Sequence, residues 1–247
     1  MQSRCARRRA LCIGVDQYTR APLQGAVSDA ERFANVLAHR DFEITLLRNG
    51  EATRPRVLEE LRSLIGQARR GERIALTYAG HGTRDLGRSD DTAIVLADAE
   101  DGGIVLDDEI GEVMADIRPG VMVTLFFDCC HSGTMSRSLP AQMVLARSTL
   151  KARHLSTDPH IREAFTRLRQ VRRMKWGQSL AARLLMREVC IAACGDHEVA
   201  YEVEGAGVFT AAATALLEES GSGGWSNQGF VGALEVRMGR VLGSDRG

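Results

Sequence analysis

Residues 121–133 read VMVTLFFDCCHSG, an apolar, β-prone run that ends in a short polar turn. Residues 74–82 read IALTYAGHG and repeat that arrangement. The first turn carries Cys130 and the second carries His81. Because the carboxyl ends of parallel strands meet at one edge of a sheet, we expect the thiol and the imidazole to face each other there. This layout is typical of the dyad of a cysteine peptidase.

Strand and helix patterns alternate outward from these two strands. Further extended segments are predicted at 10–15, 43–48, 93–96 and 189–193, and helices at about 208–219 and 229–241. Alternation of this kind predicts an α/β fold with a parallel sheet that is covered by helices on both faces.

Three earlier helices are predicted from their capping residues. Ser28 and Glu31 form a capping box that opens the first helix. Thr53 is expected to cap the second helix, and Asp107 or Asp108 the third.

Length and composition favour one globular domain. The chain has 247 residues, of which 44% are hydrophobic, enough to fill the core of a large α/β domain. No run approaches the roughly 18 apolar residues of a membrane span, and the apolar run after the arginine-rich start is short for a signal peptide. The six cysteines are therefore expected to be reduced thiols in a cytoplasmic protein that has no membrane partner.

Cys130 and His81 have the chemistry of a nucleophile and its base. An imidazole that faces a thiol favours the thiolate and later protonates the leaving amine. The backbone N–H groups of Gly82 and Cys130 are expected to hold the oxyanion. Cys129 is the competing thiol, but side chains alternate along a strand, so it should face away from Cys130. Asp128 shares the face of Cys130 and would favour a cationic substrate side chain beside the nucleophile.

Five stretches occur in the order found in a known family. They are ALCIGVDQY (10–18), LQGAVSDA (23–30), YAGHG (78–82), DCCHSG (128–133) and AACGDHEVAYEVEGAGVFT (192–210). With them the chain resembles the caspase-like peptidases, specifically the metacaspases and the bacterial orthocaspases. The spacing from residue 81 to residue 130 also agrees with the roughly 50 residues between His and Cys in caspases. The resemblance implies a caspase-type α/β fold with a central, mostly parallel sheet of about six strands and helices on both faces.

The resemblance also implies a division of the chain and a set of roles. It implies one peptidase domain over 1–247, with a large segment 1–133, a basic linker 134–187 and a small segment 188–247. The family's dyad corresponds to His81 and Cys130. Its pocket for a basic side chain corresponds to Asp29 and Asp128, while Ala26 and Ala79 replace the frequent Cys and Ser of that pocket.

A calcium site is the weakest implication of the resemblance. Asp91, Asp107 and Asp108 resemble part of the acidic cluster with which many metacaspases bind calcium. Arg137 stands where that cluster usually has another acid, and a cation is unfavourable in a calcium shell. We therefore expect no required cofactor and regard calcium as doubtful.

The basic linker allows three interpretations. It carries twelve Lys or Arg and two acids, which suits a solvated surface. Binding of nucleic acid is disfavoured, because Phe165 and Trp176 are its only aromatic residues. The third interpretation is an internal substrate, tethered near a pocket that prefers basic residues. The leading self-cleavage candidates are then Arg147, Lys151, Arg153, Arg172 and Arg173.

The sequence therefore predicts a cysteine endopeptidase that cleaves protein or peptide substrates after Arg or Lys and processes itself in the basic linker. The competing hypothesis is an interaction or signalling module that keeps the fold without proteolysis. A third is peptide ligation by the same acyl-enzyme chemistry. Additional domains and regulatory partners are left open.

Overall fold

A five-stranded parallel sheet forms the centre of the fold. The computed structural model describes residues 6–85, 91–130, 150–155, 159–173, 188–193, 200–203, 205–220 and 226–241. In these residues the central strands are arranged in the order β2-β1-β3-β7-β9. They are β1 (Arg8–Gly14), β2 (Phe42–Arg48), β3 (Arg73–Ala79), β7 (Met122–Asp128) and β9 (Glu188–Ala192).

In the described part of the chain, six helices accompany this sheet. They are α1 (Ala26–Ala38), α2 (Arg54–Gly66), α3 (Asp107–Met114), α4 (Pro159–Arg173), α5 (Val208–Glu219) and α6 (Asn227–Val241). Two hydrophobic clusters show that helices cover both faces: α2, α3 and α4 contribute to one, and α1, α5 and α6 to the other. Alternate residues of β1 enter the two clusters, as Leu11 and Cys12 do. The predicted α/β class with a mostly parallel, helix-flanked sheet is confirmed.

Two short antiparallel sheets lie beside the central one. The first contains β4 (Gly82–Arg84), β5 (Thr92–Val95) and β6 (Ile104–Leu106). The second contains β8 (Leu150–Ala152), β10 (Tyr201–Val203) and β11 (Ala206–Gly207). Among the described residues, no helix combines the length and the hydropathy that crossing a membrane requires.

The predicted helix caps are wrong in detail. Helix α1 begins before Ser28, and its first N–H groups, those of Ala26 and Val27, donate to the carboxylate of Asp16 (2.8 and 3.1 Å). At α2 the side chain of Thr53 makes no capping hydrogen bond. The Arg54 N–H instead donates to Asp98 at 3.0 Å. A carboxylate from a distant loop can satisfy a helix N-terminus as well as the local residue can, and no local pattern indicates it.

At α3 the capping residue is also different from the prediction. The helix begins at Asp107 itself, after Leu106 at the N-cap position. Asp107 accepts the N–H of Asp108 at 2.8 Å, and Glu109 accepts that of Leu106 at 3.1 Å. Acidic residues thus line the first turn, where they complement the helix dipole.

Part of the basic linker, for which the sequence suits a solvated surface, forms the regular elements β8 and α4. Helix α4 buries Ile161, Ala164 and Phe165 against the core and leaves Arg162 and Arg167 exposed. The buried stripe of α4 is short and lies in a strongly basic sequence, so its amphipathic pattern is obscured by charge. The self-cleavage candidates Arg172 and Arg173 lie at the end of α4, Lys151 lies in β8, Arg153 follows it, and Arg147 lies outside the described residues.

Candidate active site

Register places His81 and Cys130 at the same edge of the sheet. Ala79 of β3 pairs with Asp128 of β7, and the Gly80 N–H donates to the Asp128 carbonyl at 3.4 Å. His81 and Cys130 each lie two residues beyond that pair, and both are buried. Parallel pairing without a register shift is therefore the reason that the two strand ends bring these side chains to one place.

The imidazole of His81 has a defined orientation. Its Nε2 lies 2.6 Å from the carbonyl oxygen of Ala21. Since a carbonyl only accepts, Nε2 carries the proton, and Nδ1 is the unprotonated nitrogen. Burial lowers the pKa of His81 to about 4, against the opposing effects of the Ala21 and Arg153 backbones. The neutral ring is the form that can take a proton from a thiol.

Two tyrosine hydroxyls form hydrogen bonds with the backbone of the turn that carries His81. The His81 N–H donates to the Tyr18 hydroxyl at 3.0 Å, and the Tyr78 hydroxyl donates to the His81 carbonyl at 2.7 Å. A Cβ on Gly80 would lie 2.5 Å from the Tyr78 hydroxyl oxygen and 2.7 Å from that of Tyr18. Glycine at position 80 thus allows the tyrosines to fix the backbone of His81.

The two adjacent cysteines lie on opposite sides of the sheet, as alternation predicts. Cys130 belongs to the hydrophobic cluster that contains Cys12 and Phe126, and Cys129 belongs to the other cluster, with Phe127. Burial raises the pKa of the Cys129 thiol well above its ordinary value, with a further increase from Asp128. A thiol in that environment is a poor nucleophile.

Residues 150–155 lie across this edge, with β8 at their start and a parallel bridge from His154 to Gly82 near their end. β8 pairs with β10 in antiparallel register, and the Arg153 N–H donates to the Ala200 carbonyl at 3.0 Å. The Leu155 N–H donates to the Gly82 carbonyl, also at 3.0 Å. Main-chain pairing of this kind on both sides of one residue is how peptides add to an exposed strand.

The carbonyl oxygen of Arg153 lies where the sequence predicts an oxyanion to be held. It accepts the backbone N–H of Gly82 at 3.0 Å and that of Cys130 at 3.1 Å. Two convergent N–H donors polarise a carbonyl and stabilise negative charge that develops on its oxygen.

The side chain of Arg153 is fully buried among three carboxylates. Its Nη1 lies 2.9 Å from Asp128 Oδ2, and its Nη2 forms ion pairs with Asp29 and, at 3.5 Å, with Glu202. Burial opposes the charge, but the three carboxylates outweigh it and raise the pKa of Arg153 above its ordinary value. One cation among three acids leaves an excess of negative charge, so these acids form a pocket for a basic side chain.

Burial of the pocket carboxylates is electrostatically unfavourable. Burial raises the pKa of Asp29 to about 7, against the lowering effect of Arg153 and with a further increase from Asp128. Asp29 Oδ1 and Asp128 Oδ1 are buried, and neither has a hydrogen-bond partner in the described residues. Unsatisfied buried carboxylate oxygens destabilise a fold, which favours a functional over a structural reason for them.

The small segment supplies residues that the sequence analysis did not single out. Glu202 is the third acid, and the Gly207 N–H donates to Asp29 Oδ2 at 2.8 Å. Thr210 donates its N–H and its hydroxyl to Asp128 Oδ2, at 3.1 and 2.6 Å. The signal that could have identified Glu202 was the alternation of side chains along β10, where the buried Glu202 lies between half-buried Tyr201 and Val203.

The structure thus brings together every residue that the sequence predicts for a dyad, an oxyanion hole and a basic-residue pocket. They surround the single segment 150–155 and are His81, Gly82, Cys130, Asp29 and Asp128.

The calcium candidates do not converge in the same way. Asp107 is partly buried, which raises its pKa, with a further increase from Asp108 and Asp91. In the described ranges, however, no three acidic, His or Cys side chains are grouped as metal ligands would be. The residues described do not by themselves fit a calcium shell, and calcium enters none of the chemistry proposed below.

The family model and the curated relatives quoted below are all metacaspases. A family model described as "Metacaspase, peptidase C14 domain" matches residues 8–139. Metacaspase-3 of Trypanosoma cruzi is 29% identical over 238 residues, covering 89% of this chain and 60% of that protein. Metacaspase-1 of Kluyveromyces lactis is 32% identical over 152 residues, covering 54% of this chain and 35% of that protein. The inactive metacaspase-4 of Trypanosoma brucei brucei is 35% identical over 145 residues, covering 51% of this chain and 41% of that protein.

A solved structure shares the fold over almost the whole chain. The crystal structure of protein GSU0716 from Geobacter sulfurreducens superposes with a TM-score of 0.74 at 23% identity. The match covers 94% of this chain and 89% of that one. The present chain spans about 60% or less of the length of the curated relatives quoted above.

Proposed function

This chain belongs to the metacaspase family of C14 peptidases, and on that premise we propose that it is a cysteine endopeptidase that cleaves after Arg or Lys with Cys130 and His81 as its dyad. One observation carries the proposal: a basic residue, Arg153, has its carbonyl held by Gly82 and Cys130 while its side chain fills an acidic pocket. Carbonyl and side chain are thus both held as a substrate's would be.

The geometry supports an ordinary acyl transfer. His81 Nδ1 takes the thiol proton of Cys130, and the sulfur attacks the carbonyl carbon of the substrate's basic residue. The N–H groups of Gly82 and Cys130 stabilise the charge that develops on the carbonyl oxygen. The imidazolium then protonates the leaving amine, and water hydrolyses the thioester to a carboxylate and the thiol.

Glu202 is proposed to favour Arg over Lys within the basic substrates. Arg153 reaches Asp128 with Nη1 and Glu202 with Nη2, so a guanidinium contacts carboxylates on both sides. A Lys ammonium is a single donor centre and cannot bridge them in the same way. Charge-assisted contacts contribute about 1.5–3 kcal/mol each when buried, but the Glu202 contact is long, so its effect belongs at the lower end.

Glu202→Gln is therefore expected to lower the Arg-to-Lys ratio of kcat/KM by about three- to tenfold. The measurement compares two fluorogenic peptides that differ only in Arg or Lys before the scissile bond. Glu218→Gln, on the exposed surface of α5, is the matched control and should keep the ratio of the parent chain. An unchanged Arg-to-Lys ratio of kcat/KM in Glu202→Gln would show that Glu202 does not contribute to substrate selection.

Gly207→Ala is expected to obstruct the pocket without straining the backbone. Residue 207 has φ −69° and ψ 127°, which alanine adopts freely. A Cβ there would overlap Asp128 Oδ2 and lie 2.6 Å from Arg153 Nη1. One misplaced carbon in a close-fitting pocket costs about 10- to 200-fold in kcat/KM, and we expect a loss of that order on Arg peptides.

The control for this substitution is Gly232→Ala in α6, where an added Cβ meets no atom within 4 Å. Melting temperatures of both variants separate a blocked pocket from a damaged fold. Parental kcat/KM in folded Gly207→Ala would show that Arg substrates do not bind between Asp29 and Asp128.

A peptide panel that varies only the residue before the scissile bond tests the function itself. Cys130-dependent hydrolysis after Arg and Lys, and none after Asp, is the expected result. Hydrolysis after Asp or apolar residues would overturn the specificity. Peptide binding without hydrolysis would favour the interaction module, a real alternative because one relative is named inactive. Added amine nucleophiles trapped as new amides would reveal ligation.

A further inference from the structure

We propose that Glu202 is a positioning residue for the base of the dyad: the carboxylate that contacts the substrate's cation also holds the loop whose carbonyl orients His81. The inference rests on the proposed function and goes beyond it, because it gives one acid of the pocket a part in the chemical step. A basic side chain is then selected twice, once when it binds and once through the orientation of the base.

The loop 15–25, which joins β1 to α1, carries the acceptor for the His81 ring. The Ala21 carbonyl oxygen lies 2.6 Å from Nε2 of His81, so this contact determines which ring nitrogen is free to take the thiol proton. The ring of Tyr18, from the same loop, lies 4.6 Å from the imidazole, measured between ring centroids. The position of the base therefore depends on the position of this loop.

Ala21 presents its carbonyl in a backbone conformation that is unfavourable for alanine. Its φ is +53°, in the left-handed region where a Cβ is crowded. Pro22 follows it and restricts its backbone further. Such a conformation persists only where surrounding contacts fix the chain, and it occurs most often at functional sites. The contacts that anchor the loop are thus part of the support of His81.

The loop is anchored on both sides of Ala21. Before it, the Oδ1 of Asn49 accepts the N–H of Asp16 at 2.9 Å. After it, the Oε1 of Glu202 accepts the N–H of Gln24 at 3.0 Å. The second anchor comes from β10, far along the chain, and it belongs to the acidic pocket. The loop of His81 and the pocket therefore share a side chain.

The other oxygen of Glu202 faces the cation. Its Oε2 lies 3.5 Å from Nη2 of Arg153, which fills the pocket as the guanidinium of a substrate would. Glu202 is only 1% exposed, so its two oxygens are directed at protein groups and not at bulk water. One buried carboxylate thus connects the substrate's side chain with the loop that orients the base, with one oxygen for each.

A cation in the pocket keeps Glu202 in this position. Without one, Asp29, Asp128 and Glu202 are three acids in a buried space, and like charges at short range repel each other. Glu202 then turns away, and the Gln24 N–H loses its acceptor. A bound guanidinium relieves the repulsion and restores the contact. Occupation of the pocket and orientation of His81 are in this way coupled, because the cation favours one of two arrangements of Glu202.

A comparison of Glu202→Ala with Glu202→Gln tests the link to the loop. Both variants lose the charge that faces the substrate, but glutamine keeps an oxygen that can accept the Gln24 N–H. At saturating Arg peptide, kcat of Glu202→Ala should lie about tenfold or more below that of Glu202→Gln, since a small misplacement of a catalytic group is costly. Their KM values should agree within about twofold. Equal kcat values in the two variants would overturn the positioning role.

The ring proton of His81 gives a readout that does not need activity. With isotope-labelled histidine, the Nε2–H proton of His81 should be protected from exchange, because it is buried and bonded to a carbonyl. The signal should persist in Glu202→Gln and in the surface control Glu218→Ala, and it should exchange faster in Glu202→Ala. The same protection in Glu202→Ala as in wild type would contradict the proposal, and melting temperatures show whether any variant is damaged as a whole.

Methylguanidinium tests the coupling in the unaltered chain. A peptide with glycine before the scissile bond binds without filling the pocket, so added methylguanidinium should enter the pocket and raise kcat for this peptide about fivefold or more. Tetramethylammonium, a cation without N–H donors, is the control and should have no such effect. Methylguanidinium should also compete with the Arg peptide, which shows that it occupies the pocket.

The outcomes separate this inference from the proposed function. Competition with the Arg peptide but no acceleration of the glycine peptide would overturn the coupling and leave cleavage after Arg and Lys standing. Equal kcat in the two Glu202 variants, with hydrolysis after Arg intact, would do the same to the positioning role. No competition by methylguanidinium and no preference for Arg would count against the acidic pocket itself, and therefore against both.

Discussion

Cys130→Ala is expected to lower kcat/KM for an Arg peptide by about 10⁴-fold or more, since removal of the nucleophile leaves only binding and the oxyanion hole. His81→Ala should lose about 10²- to 10⁴-fold, the usual contribution of a positioned acid–base group. These are the largest effects that we predict, because the proposed mechanism gives both groups a direct part in the chemical step.

Cys129→Ala is the matched control for this pair of substitutions. Its thiol lies on the opposite face of the sheet, and burial raises its pKa, so most activity should remain. The measurement is peptide hydrolysis, with circular dichroism to confirm folding of each variant. Full activity in Cys130→Ala, or a loss confined to Cys129→Ala, would show that the nucleophile is wrongly assigned.

The second large effect concerns the acidic pocket. Asp29→Ala is expected to lower kcat/KM for Arg peptides by roughly ten- to a hundredfold, since a buried charge-assisted contact contributes about 1.5–3 kcal/mol. An Asp before the scissile bond would meet Asp29, Asp128 and Glu202 and should not be cleaved at a measurable rate. Citrulline has the shape of Arg without its charge. The Asp29→Ala substitution should therefore lower kcat/KM far less for a citrulline peptide than for the Arg peptide.

The citrulline peptide also isolates the charge of Asp29 as a function of pH. The pKa of Asp29 is raised to about 7, so this carboxyl becomes neutral as the pH falls through that value. The Arg-to-citrulline ratio of kcat/KM should therefore rise from pH 6 to pH 8, and the titration of the dyad cancels in the ratio. The ratio should be nearly flat in Asp29→Ala; an equal slope there would show that another group titrates.

Much of the fold and of the site could be predicted from local patterns. Apolar runs with helical stretches between them predict a parallel sheet, and the ends of two such runs predict that His81 and Cys130 meet. Alternation along β7 separates Cys129 from Cys130. Each of these three inferences uses neighbours in sequence or one repeating period, which do not depend on partners elsewhere in the chain.

Other features could not be predicted because their partners are far apart in the chain. The caps of α1 and α2 come from Asp16 and Asp98, which lie in loops rather than at the helix starts. Helix α4 was missed because its charge obscured the buried stripe of Ile161 and Phe165. Propensity and periodicity describe single segments and carry no information about which distant group will satisfy them.

The sequence by itself determined the α/β architecture, the meeting of His81 and Cys130 at one sheet edge, and the presence of basic residues in the linker. Only the tertiary structure decided which basic residue occupies the acidic pocket. The choice of Arg153 depends on the pairing of β8 with β10 and on Glu202, which joins Asp29 and Asp128 from another part of the chain. A buried cation needs several carboxylates around it at once, and these come from Asp29, Asp128 and Glu202, which meet only after the chain has folded.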